Sequence, residues 1–394
     1  MLHWLAAAQH YLHAHKLDAW LVHDFRGSNA VLARLLPGKR HTTRRVVLVV
    51  PVRGQPTILV APLDSNQFTD IPGVARREFN GHTQFKDVLA AVLKGSKRVA
   101  MEYSHLCALP IVSIVDAGSI ELVRSIGMEV VSSADLMQTC VARWSPEALA
   151  VHEAVSRQVG QIKDEAFSYI HRTLNAGRSP MEHEVADLIR RRFTEAKLEW
   201  PDGPIVAVNA HSGDPHYSPS QDHHTPINPG DWILIDLWAR RGGEEHIFSD
   251  ITWTGFAGQR VPAEHLRVFN VVRDARDAAV KAAKDAWAIQ RPIHGWELDE
   301  AAANVIRAAG LAHGIKHRTG HSLSPGTMVH GLGMNLDNLE THDSRTMLPG
   351  IGFTVEPGVY LPAFGVRNEI NVYVDPNRGP VVTSSLQNQP ILRG

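Results

Sequence analysis

Cysteine is scarce in this chain of 394 residues, which contains only Cys107 and Cys140. Neither belongs to a Cys-x-x-Cys pair, so the sequence offers no disulfide framework and no redox or zinc motif of that type. Two isolated cysteines in a chain of this length fit a reducing compartment, and we expect a cytoplasmic protein.

Long apolar runs and an excess of one charge are missing as well. No window approaches 18 uninterrupted apolar residues, so no membrane span is predicted. The opening segment, MLHWLAAAQHYLHAHKLDAW, lacks a basic stretch followed by an apolar one, so we expect no secretory signal. With 40 basic and 41 acidic residues and a formal net charge of −1, the composition predicts neither a nucleic acid nor a membrane as partner.

Three common catalytic motifs are also absent from the sequence. The segment LKGSKR lacks the Gly-x4-Gly spacing of a phosphate-binding loop, and no Gly-x-Ser-x-Gly elbow of a serine hydrolase occurs. His313 and His317 are four residues apart, but no His-Glu-x-x-His frame surrounds them. We therefore interpret this histidine pair as a feature of a helix end.

What the sequence does contain indicates two folded domains. The hydrophobic content of 44% and charged content of 21% are typical of a folded protein, and the chain is too long for one ordinary core. Predicted helices and strands alternate in residues 1–140, which predicts an α/β domain. A strong helix start with Ser145 as N-cap and Pro146 in the first turn then opens a second domain at 141–394.

The second domain is predicted to be α+β. Ser179 and Glu182 have the spacing of a capping box, which predicts another helix start there. Two helical blocks follow, at 262–290 and 298–310. The predicted strands are 204–209, 231–238, 247–255, 351–360 and 366–374.

Two aspartates interrupt the apolar strands of the segment LIDLWARRGGEEHIFSDITWTG. If its two apolar runs form a hairpin, Asp236 and Asp250 can approach each other. Facing carboxylates in an apolar setting repel, so they require an arginine, a lysine or a metal cation. The alternative for an isolated pair is that one aspartate caps a turn in contact with solvent.

Further acids and a histidine follow towards the C-terminus. Glu356 in FTVEPGVY lies at the end of a predicted strand, just before Pro357, and Glu369 in GVRNEINVYV lies in a second predicted strand. His321 in HRTGHSLS follows a helical block. Four carboxylates and one imidazole suit a pair of divalent ions such as Mn, Co or Zn better than a structural zinc site. A carboxylate-bridged pair of ions about 3.5–4 Å apart can activate a shared water.

The order of these residues along the chain, Asp, Asp, His, Glu, Glu, resembles the order of the metal ligands in the M24 metallopeptidase family. This family has the pita-bread fold and includes prolidases, aminopeptidase P and methionine aminopeptidases. DFRGSNAVLARLL also resembles the N-terminal domain of prolidases and aminopeptidase P. The resemblance implies an N-terminal α/β domain of the creatinase/prolidase type, a pita-bread C-terminal catalytic domain, and a homodimer. It further implies two divalent metal ions, for which we expect manganese, with cobalt or zinc as alternatives. The blocks that carry it are LIDLW, SDITWTG, HRTGH, VEPGVY and FGVRNE, and the implied ligands are Asp236, Asp250, His321, Glu356 and Glu369.

The resemblance also assigns roles to other residues. His216 in DPHYSP and His330 in MVHGLG match histidines that line the substrate site and stabilise the transition state, although each alone would more often be structural. Glu356 is expected to shuttle a proton besides binding metal. Arg367 either contacts a substrate carboxylate or orients Glu369 through a salt bridge.

The expected reaction is metal-dependent hydrolysis of the peptide bond before proline in a small peptide, by an Xaa-Pro dipeptidase. The alternatives are aminopeptidase P-like removal of the first residue from Xaa-Pro-Yaa peptides and a non-catalytic pita-bread binding protein. Creatinase-like hydrolysis is less favoured, because those members lack the intact ligand set. Segments 239–247 and 322–329 are longer than is usual in the family, so we expect them to alter substrate preference.

Overall fold

The computed structural model describes residues 2–36 and 38–392 of the chain. The chain divides into two units, Met1–Ala142 and Arg143–Gly394. Within the described ranges, every helix is too short or too polar to cross a bilayer.

The N-terminal unit is built around one mixed sheet. Its strands are β1 Ala19–Phe25, β2 Arg45–Pro51, β3 Thr57–Val60, β4 Ala75–Glu78, β5 Arg98–Met101 and β6 Glu129–Ser132. Its α-helices are α1 Leu5–Ala14, α2 Ala30–Leu35, α3 His82–Val92, α4 Ala117–Ser125 and α5 Ala134–Val141. The strand order is β4-β3-β2-β1-β5-β6. The pairs β1–β2 and β2–β3 are antiparallel and the remaining pairs are parallel.

Apolar runs of the N-terminal unit form the central strands of its sheet. β2 is buried along nearly its whole length, as expected for a strand covered on both faces. β2 and β3 form an antiparallel hairpin, and Gly54 in its turn has a φ of +95°, which a residue with a side chain rarely adopts. The predicted α/β class of this unit is therefore confirmed.

Up to residue 392, where the description of the chain ends, the C-terminal unit combines four α-helices with three sheets. The helices are α6 Pro146–Asn175, α7 Glu182–Glu195, α8 Ala263–Ala288 and α9 Gly295–Ala308. The strands are β7 Leu198–Glu199, β8 Ile205–Val208, β9 Trp232–Arg241, β10 Ser249–Phe256, β11 Ser322–Leu323, β12 Gly352–Val355, β13 Gly358–Tyr360, β14 Gly365–Arg367, β15 Ile370–Asp375, β16 Gly379–Val382 and β17 Ile391–Leu392. The first sheet has the strand order β17-β10-β9-β7, and β8 also pairs with β9. The second sheet has the order β11-β12-β15-β16, and the third consists of β13 and β14.

The first helix start of this unit is the predicted one and the second is not. The Ser145 side chain accepts a hydrogen bond from the Ala148 amide at 3.0 Å, which caps α6. α7 begins two residues later than a cap at Ser179 would require, because the Ser179 hydroxyl instead donates to Asn228. The carboxylate that reaches back to the chain before α7 belongs to Glu184.

The two C-terminal runs predicted as single strands are each divided in two. Run 351–360 forms β12 and β13, and run 366–374 forms β14 and β15, in different sheets. Pro357 has no amide hydrogen with which to continue a ladder, and the Glu369 amide donates to Thr252 of β10. Glu356 thus directly follows β12, as predicted for the end of a strand, whereas the prediction that Glu369 lies inside a strand is wrong, because Glu369 occupies the break between β14 and β15.

His152 on α6 makes the stability of the C-terminal unit sensitive to acid. Its ring is buried, 4.6 Å from the ring of Trp144, and its Nε2 lies 2.8 Å from the Thr383 hydroxyl. Burial lowers the pKa of His152 from 6.5 to about 4. The stabilisation that neutral His152 provides is fully present above pH 6.5 and is lost as the pH falls towards about 4, by up to about 3 kcal/mol.

Urea unfolding of wild type and His152→Gln at about pH 7.5 and about pH 4.5 measures this effect. Glutamine cannot become charged, so we expect the variant to lose less free energy of unfolding on acidification than wild type. His313→Gln replaces an exposed histidine of the same unit and should behave as wild type. Equal acid sensitivity in wild type and His152→Gln would contradict the prediction.

Candidate metal centre

The two aspartates that interrupt apolar strands lie on neighbouring strands of one hairpin. β9 and β10 are antiparallel, with Asp236 opposite Thr252 and Asp250 opposite Trp238. The two carboxylates are therefore diagonal neighbours across the hairpin, and both are buried. The hairpin that the sequence predicts brings them together without any long-range contact.

His321, Glu356 and Glu369 join the aspartates from three other places in the chain. The His321 Nε2 lies 3.4 Å from Asp250 Oδ2 and 3.5 Å from Glu356 Oε1. One donor atom from each of Asp250, His321 and Glu369 lies within 4.8 Å of the others. All five predicted ligands, Asp236 included, line one cavity of about 850 Å³.

Arg367 is buried beside this cluster, and its donors bind protein groups. Its Nε donates to the Thr252 hydroxyl at 2.9 Å, its Nη1 to the Tyr360 hydroxyl at 3.0 Å, and its Nη2 to Asp236 Oδ2. The Thr252 hydroxyl in turn donates to Glu369 Oε2 at 2.8 Å. This geometry favours an orienting role for Arg367 over contact with a substrate carboxylate. Arg367 binds Asp236 directly and reaches Glu369 through the Thr252 hydroxyl.

The backbone around His321 sets the direction of its ring. A Cβ on Gly320 would lie 2.1 Å from the Thr354 carbonyl oxygen, so only glycine allows this approach. The His321 amide donates to the Thr354 hydroxyl at 2.9 Å, and Nδ1 lies 3.2 Å from the Ser322 carbonyl. Burial lowers the pKa of His321, but the hydrogen bond with Asp250 and the charges of Glu356 and Asp250 outweigh burial and raise it, which favours a positive ring in the metal-free protein. A bound ion would take the place of the proton on Nε2, while Nδ1 keeps its proton towards the Ser322 carbonyl.

Asn371 of β15 holds Asp250 by its backbone. The Asn371 side chain accepts a hydrogen bond from the Asp250 amide at 3.1 Å and donates one to the Asp250 carbonyl. The position of the Asp250 main chain therefore does not depend on what its carboxylate binds.

The carboxylates of the cluster are crowded and short of positive charge. Burial, opposed by Arg367, raises the pKa of Asp236 to about 7. Burial raises the pKa of Asp250, and burial with repulsion from Asp250 raises that of Glu369. Asp236 Oδ1 is buried with no hydrogen-bond partner among the described residues. A cation placed among these oxygens would remove the repulsion and bind the orphaned atom.

His330 and His216 line the same cavity as the five predicted ligands. The ring of His330 lies 3.9 Å from that of His321. The positive His321, assisted by burial, lowers the pKa of His330 to about 3, so His330 is neutral at physiological pH. A neutral imidazole here can donate one hydrogen bond to a substrate oxygen.

A buried carboxylate on α7 anchors the segment that carries His216. Glu182 accepts hydrogen bonds from the Val208 amide at 2.8 Å, the Thr225 amide at 2.8 Å and the Tyr217 hydroxyl at 2.6 Å, and His211 Nδ1 lies 3.0 Å away. Residues 208–225 are thus tied at both ends to one side chain. Sequence reasoning used Glu182 only as a capping residue and did not find this role.

Sequence reasoning also missed several residues of the cavity wall. The interpretation of His317 as a helix-end feature is wrong, because His317 lines the cavity and its Nε2 lies 2.6 Å from the Tyr360 hydroxyl. The strand period of two could have identified Trp238, which shares a face with Asp236. The remaining wall residues include Lys316, Arg318, Met328, Val329 and Glu340.

Comparison with known proteins identifies the family. The profile of metallopeptidase family M24 matches residues 154–376, which is more than half of the chain. The chain belongs to metallopeptidase family M24. Within M24 it is similar to the probable dipeptidase PepE of Mycobacterium bovis, with 28% identity over 219 residues, 55% of this chain and 53% of that protein. It is 29% identical to the Xaa-Pro dipeptidase of Lactobacillus delbrueckii subsp. lactis over 217 residues, 54% of this chain and 53% of that protein.

The sequence alignments thus span about half the length of these curated M24 relatives. A solved structure extends the likeness to nearly the whole chain. Dipeptidase PepE from Mycobacterium ulcerans has a TM-score of 0.71 at 22% identity, covering 99% of this chain and 96% of that one. The predicted fold, a creatinase/prolidase-type α/β domain followed by an α+β pita-bread domain, is therefore confirmed.

Proposed function

We propose that this M24 protein is a dinuclear-metal-dependent peptidase that hydrolyses Xaa-Pro dipeptides. The observation that carries the proposal is the convergence of four carboxylates and His321 in one cavity. A relative named Xaa-Pro dipeptidase supports the choice of substrate. Apolar and cationic side chains line the same cavity, and such a lining is compatible with a short peptide that carries a free terminus.

The donor set fits a pair of divalent ions. The cluster is rich in oxygen, includes one imidazole, and keeps Asp236 Oδ1 buried without a partner in the described part of the chain. When bound, such ions polarise the scissile carbonyl and lower the pKa of the attacking water. We favour manganese, with cobalt or zinc as alternatives. The residues that would hold them are Asp236, Asp250, His321, Glu356 and Glu369.

Glu356 is the proton carrier in this proposal. Its carboxylate accepts a hydrogen bond from the Thr354 hydroxyl at 3.1 Å, and its amide donates to the Thr319 carbonyl. Burial raises the pKa of Glu356, but the positive charge of His321 and its neighbours outweighs burial and lowers the pKa below the usual value. An ionised Glu356 can accept the proton of the attacking water and deliver it to the leaving proline nitrogen.

His216 and His330 stabilise the oxyanion in this proposal. Both line the cavity, and neutral His330 keeps its one donor for the negative charge that develops on the carbonyl oxygen. An Xaa-Pro amide has no N–H group, so these donors act on the oxygen and recognition depends on the ring and the termini.

Lys316 and Arg318 are candidates for binding the substrate carboxylate. All three donor nitrogens of Arg367 are engaged with protein groups. Lys316 is exposed on the cavity wall, and its ammonium makes one hydrogen bond, to the Gly213 carbonyl at 2.7 Å, which leaves two of its donors for a ligand. Arg318 borders the same cavity, paired with Glu340 at 2.8 Å and 3.4 Å from His330 Nδ1. A cation at this position favours a dipeptide, in which the proline itself carries the terminal carboxylate.

Hydrolysis assays with added manganese test the proposal. We expect turnover of Xaa-Pro dipeptides and at least about tenfold lower kcat/KM for the matching Xaa-Pro-Yaa peptides, because the longer peptide displaces its carboxylate from the cationic wall. Preference for the tripeptide would support the aminopeptidase P alternative. No hydrolysis with Mn, Co or Zn, together with a stability that no metal changes, would support the binding-protein alternative. The homodimer and the cytoplasmic location stay predictions.

A further inference from the structure

Residues 383–392 run back along the strands that lead to two of the predicted metal ligands, and we refer to them as the return segment. The segment follows β16 directly. Its strand β17, Ile391–Leu392, pairs in parallel with Gly255 and Phe256 of β10. Asp250 lies near the start of the same strand, so the return segment is attached to an element that carries a predicted ligand.

The side chain of Gln387 extends this attachment along β10. Gln387 is buried, its Nε2 donates to the Thr254 carbonyl at 2.6 Å, and its Oε1 accepts from the Thr254 amide at 3.0 Å. One side-chain amide thus binds both backbone groups of a strand residue, as a residue of a neighbouring strand would. Thr254 is two positions from Thr252, whose hydroxyl and carbonyl both bind Glu369.

The main chain of Gln387 binds the break between β14 and β15. Its carbonyl accepts hydrogen bonds from the Asn368 side chain at 3.1 Å and from the Arg276 guanidinium of α8 at 2.9 Å. Arg276 also donates to Asn368 Oδ1 at 2.8 Å, so the three buried residues form a closed network. Because Asn368 directly precedes Glu369, this network holds the chain at a predicted ligand.

The beginning of the return segment holds β15. The Ser384 hydroxyl accepts from the Asn371 amide at 2.8 Å, and the Thr383 amide donates to the Asn371 carbonyl at 2.9 Å. The Asn371 side chain in turn holds the main chain of Asp250. The return segment therefore reaches Asp250 through Asn371, just as it reaches Glu369 through Asn368.

Asp250 and Glu369 require such support because they are close together and carry the same charge. Each contributes one of the three donor atoms that lie within 4.8 Å of one another, and their charges repel in the metal-free protein. Glu369 occupies a break between strands, and its amide is bound to the Thr252 carbonyl at 3.2 Å. Gln387 joins β10 to the same break a second time, which prevents the two parts from turning about the first contact.

We propose that Gln387 is a positioning residue of the metal centre, which fixes the separation of Asp250 and Glu369 and thereby sets the affinity for the ions. This inference rests on the proposed function for the presence of those ions. Gln387 acts through Thr254 and Asn368, not by contact with an ion or a substrate. Residues that orient metal ligands typically change the affinity for the metal by about 10–100-fold when they are replaced.

Calorimetric titration of the metal-free protein with manganese alone measures the affinity. Gln387→Met keeps the length of the side chain but removes its amide, so we expect binding at least about tenfold weaker than in wild type. Gln389→Met is the matched control, because it makes the same substitution two positions later at an exposed residue and should bind as wild type. Titration below the melting temperature of every variant keeps all of them folded, so a role in overall stability alone would leave the affinity unchanged.

The manganese dependence of dipeptide hydrolysis separates ion binding from catalysis. For Gln387→Met, the manganese concentration that gives half-maximal activity should rise by about tenfold, while kcat at saturating manganese stays close to that of wild type. Ser384→Ala removes the acceptor for the Asn371 amide and should raise that concentration several-fold. Ser385→Ala, at the exposed neighbouring residue, should leave it unchanged.

Hydrogen exchange followed by mass spectrometry tests the positioning without any ion. In the metal-free protein, peptides that contain Asp250 and Glu369 should exchange several-fold faster in Gln387→Met than in wild type or Gln389→Met. If no variant bound manganese, this faster exchange would still support the positioning of the two carboxylates, and the proposed function alone would fail. Equal exchange rates in that case would overturn the inference. If wild type binds manganese, an equal affinity in Gln387→Met would overturn it whatever the exchange rates.

Discussion

Asp250→Ala is expected to lower kcat/KM for Xaa-Pro hydrolysis by roughly a thousandfold or more while the protein stays folded. The Asp250 carboxylate belongs to the group of three donor atoms that lie within 4.8 Å of one another. Removing it takes away one of the donors through which an ion would be held and oriented. Glu356→Gln, which keeps the size of the side chain but cannot carry the proton, should cause a loss of similar order.

The fold should tolerate Asp250→Ala for two reasons. Asn371 holds the main chain of Asp250, not its side chain. The lost carboxylate repels Glu369 and Asp236, so its removal relieves unfavourable charge in the metal-free protein. Kinetics and circular dichroism measure the two effects, with Asp274→Ala on the exposed surface of α8 as control. Wild-type activity in Asp250→Ala would count decisively against the proposed metal centre.

Removal of metal is expected to abolish activity and to lower the melting temperature by roughly 5–10 °C. Ions present at about a hundred times their dissociation constant stabilise the folded state by about 3 kcal/mol, which corresponds to a shift of this size in a domain of about 250 residues. The chemical cause is the crowding of the buried carboxylates of Asp236, Asp250 and Glu369 with the partly buried Glu356 around one cavity.

The size of the shift should depend on pH in a defined direction. Burial raises the pKa of Asp236 from 3.8 to about 7, so the metal-free folded protein binds a proton that the unfolded chain has already released. The metal-free protein therefore loses stability as the pH rises from about 4 to about 7, and the stabilisation by metal should grow over the same interval.

Differential scanning fluorimetry with and without a chelator, followed by re-addition of manganese, measures this response. Asp250→Ala provides the control, because it keeps the fold but lacks one donor and should show a much smaller shift. A shift of the same size in Asp250→Ala and wild type would mean that the ions act elsewhere on the protein.

Arg367 illustrates where sequence reasoning stopped. Its position two residues before Glu369 indicates proximity to the cluster but does not distinguish a substrate contact from a structural one. Which of the two roles Arg367 has depends on Thr252 of β10 and Tyr360 of β13, whose hydroxyls accept hydrogen bonds from the Arg367 Nε and Nη1. No local pattern contains that information, because the partners are 115 and 7 residues away in the chain.

The strand assignments show a similar division. The predicted helix start at Ser145 is confirmed, because a cap depends on neighbours within one turn. The continuous apolar runs around Glu356 and Glu369 predict two strands, yet each run divides between two sheets. Burial on both sides makes residues near such a break as apolar as those inside a strand, so the pattern alone cannot locate it.

The sequence by itself determined the kinds of donor, their order along the chain and the two fold classes, because these follow from residue identity and from short-range periodicity. Only the tertiary structure decided which groups meet: the partners of Arg367, the place of His317 in the cavity wall, and the contact of Arg240 with Gly326 across 86 residues. Those contacts depend on how sheets pack in three dimensions, and residue spacing along the chain does not contain that information.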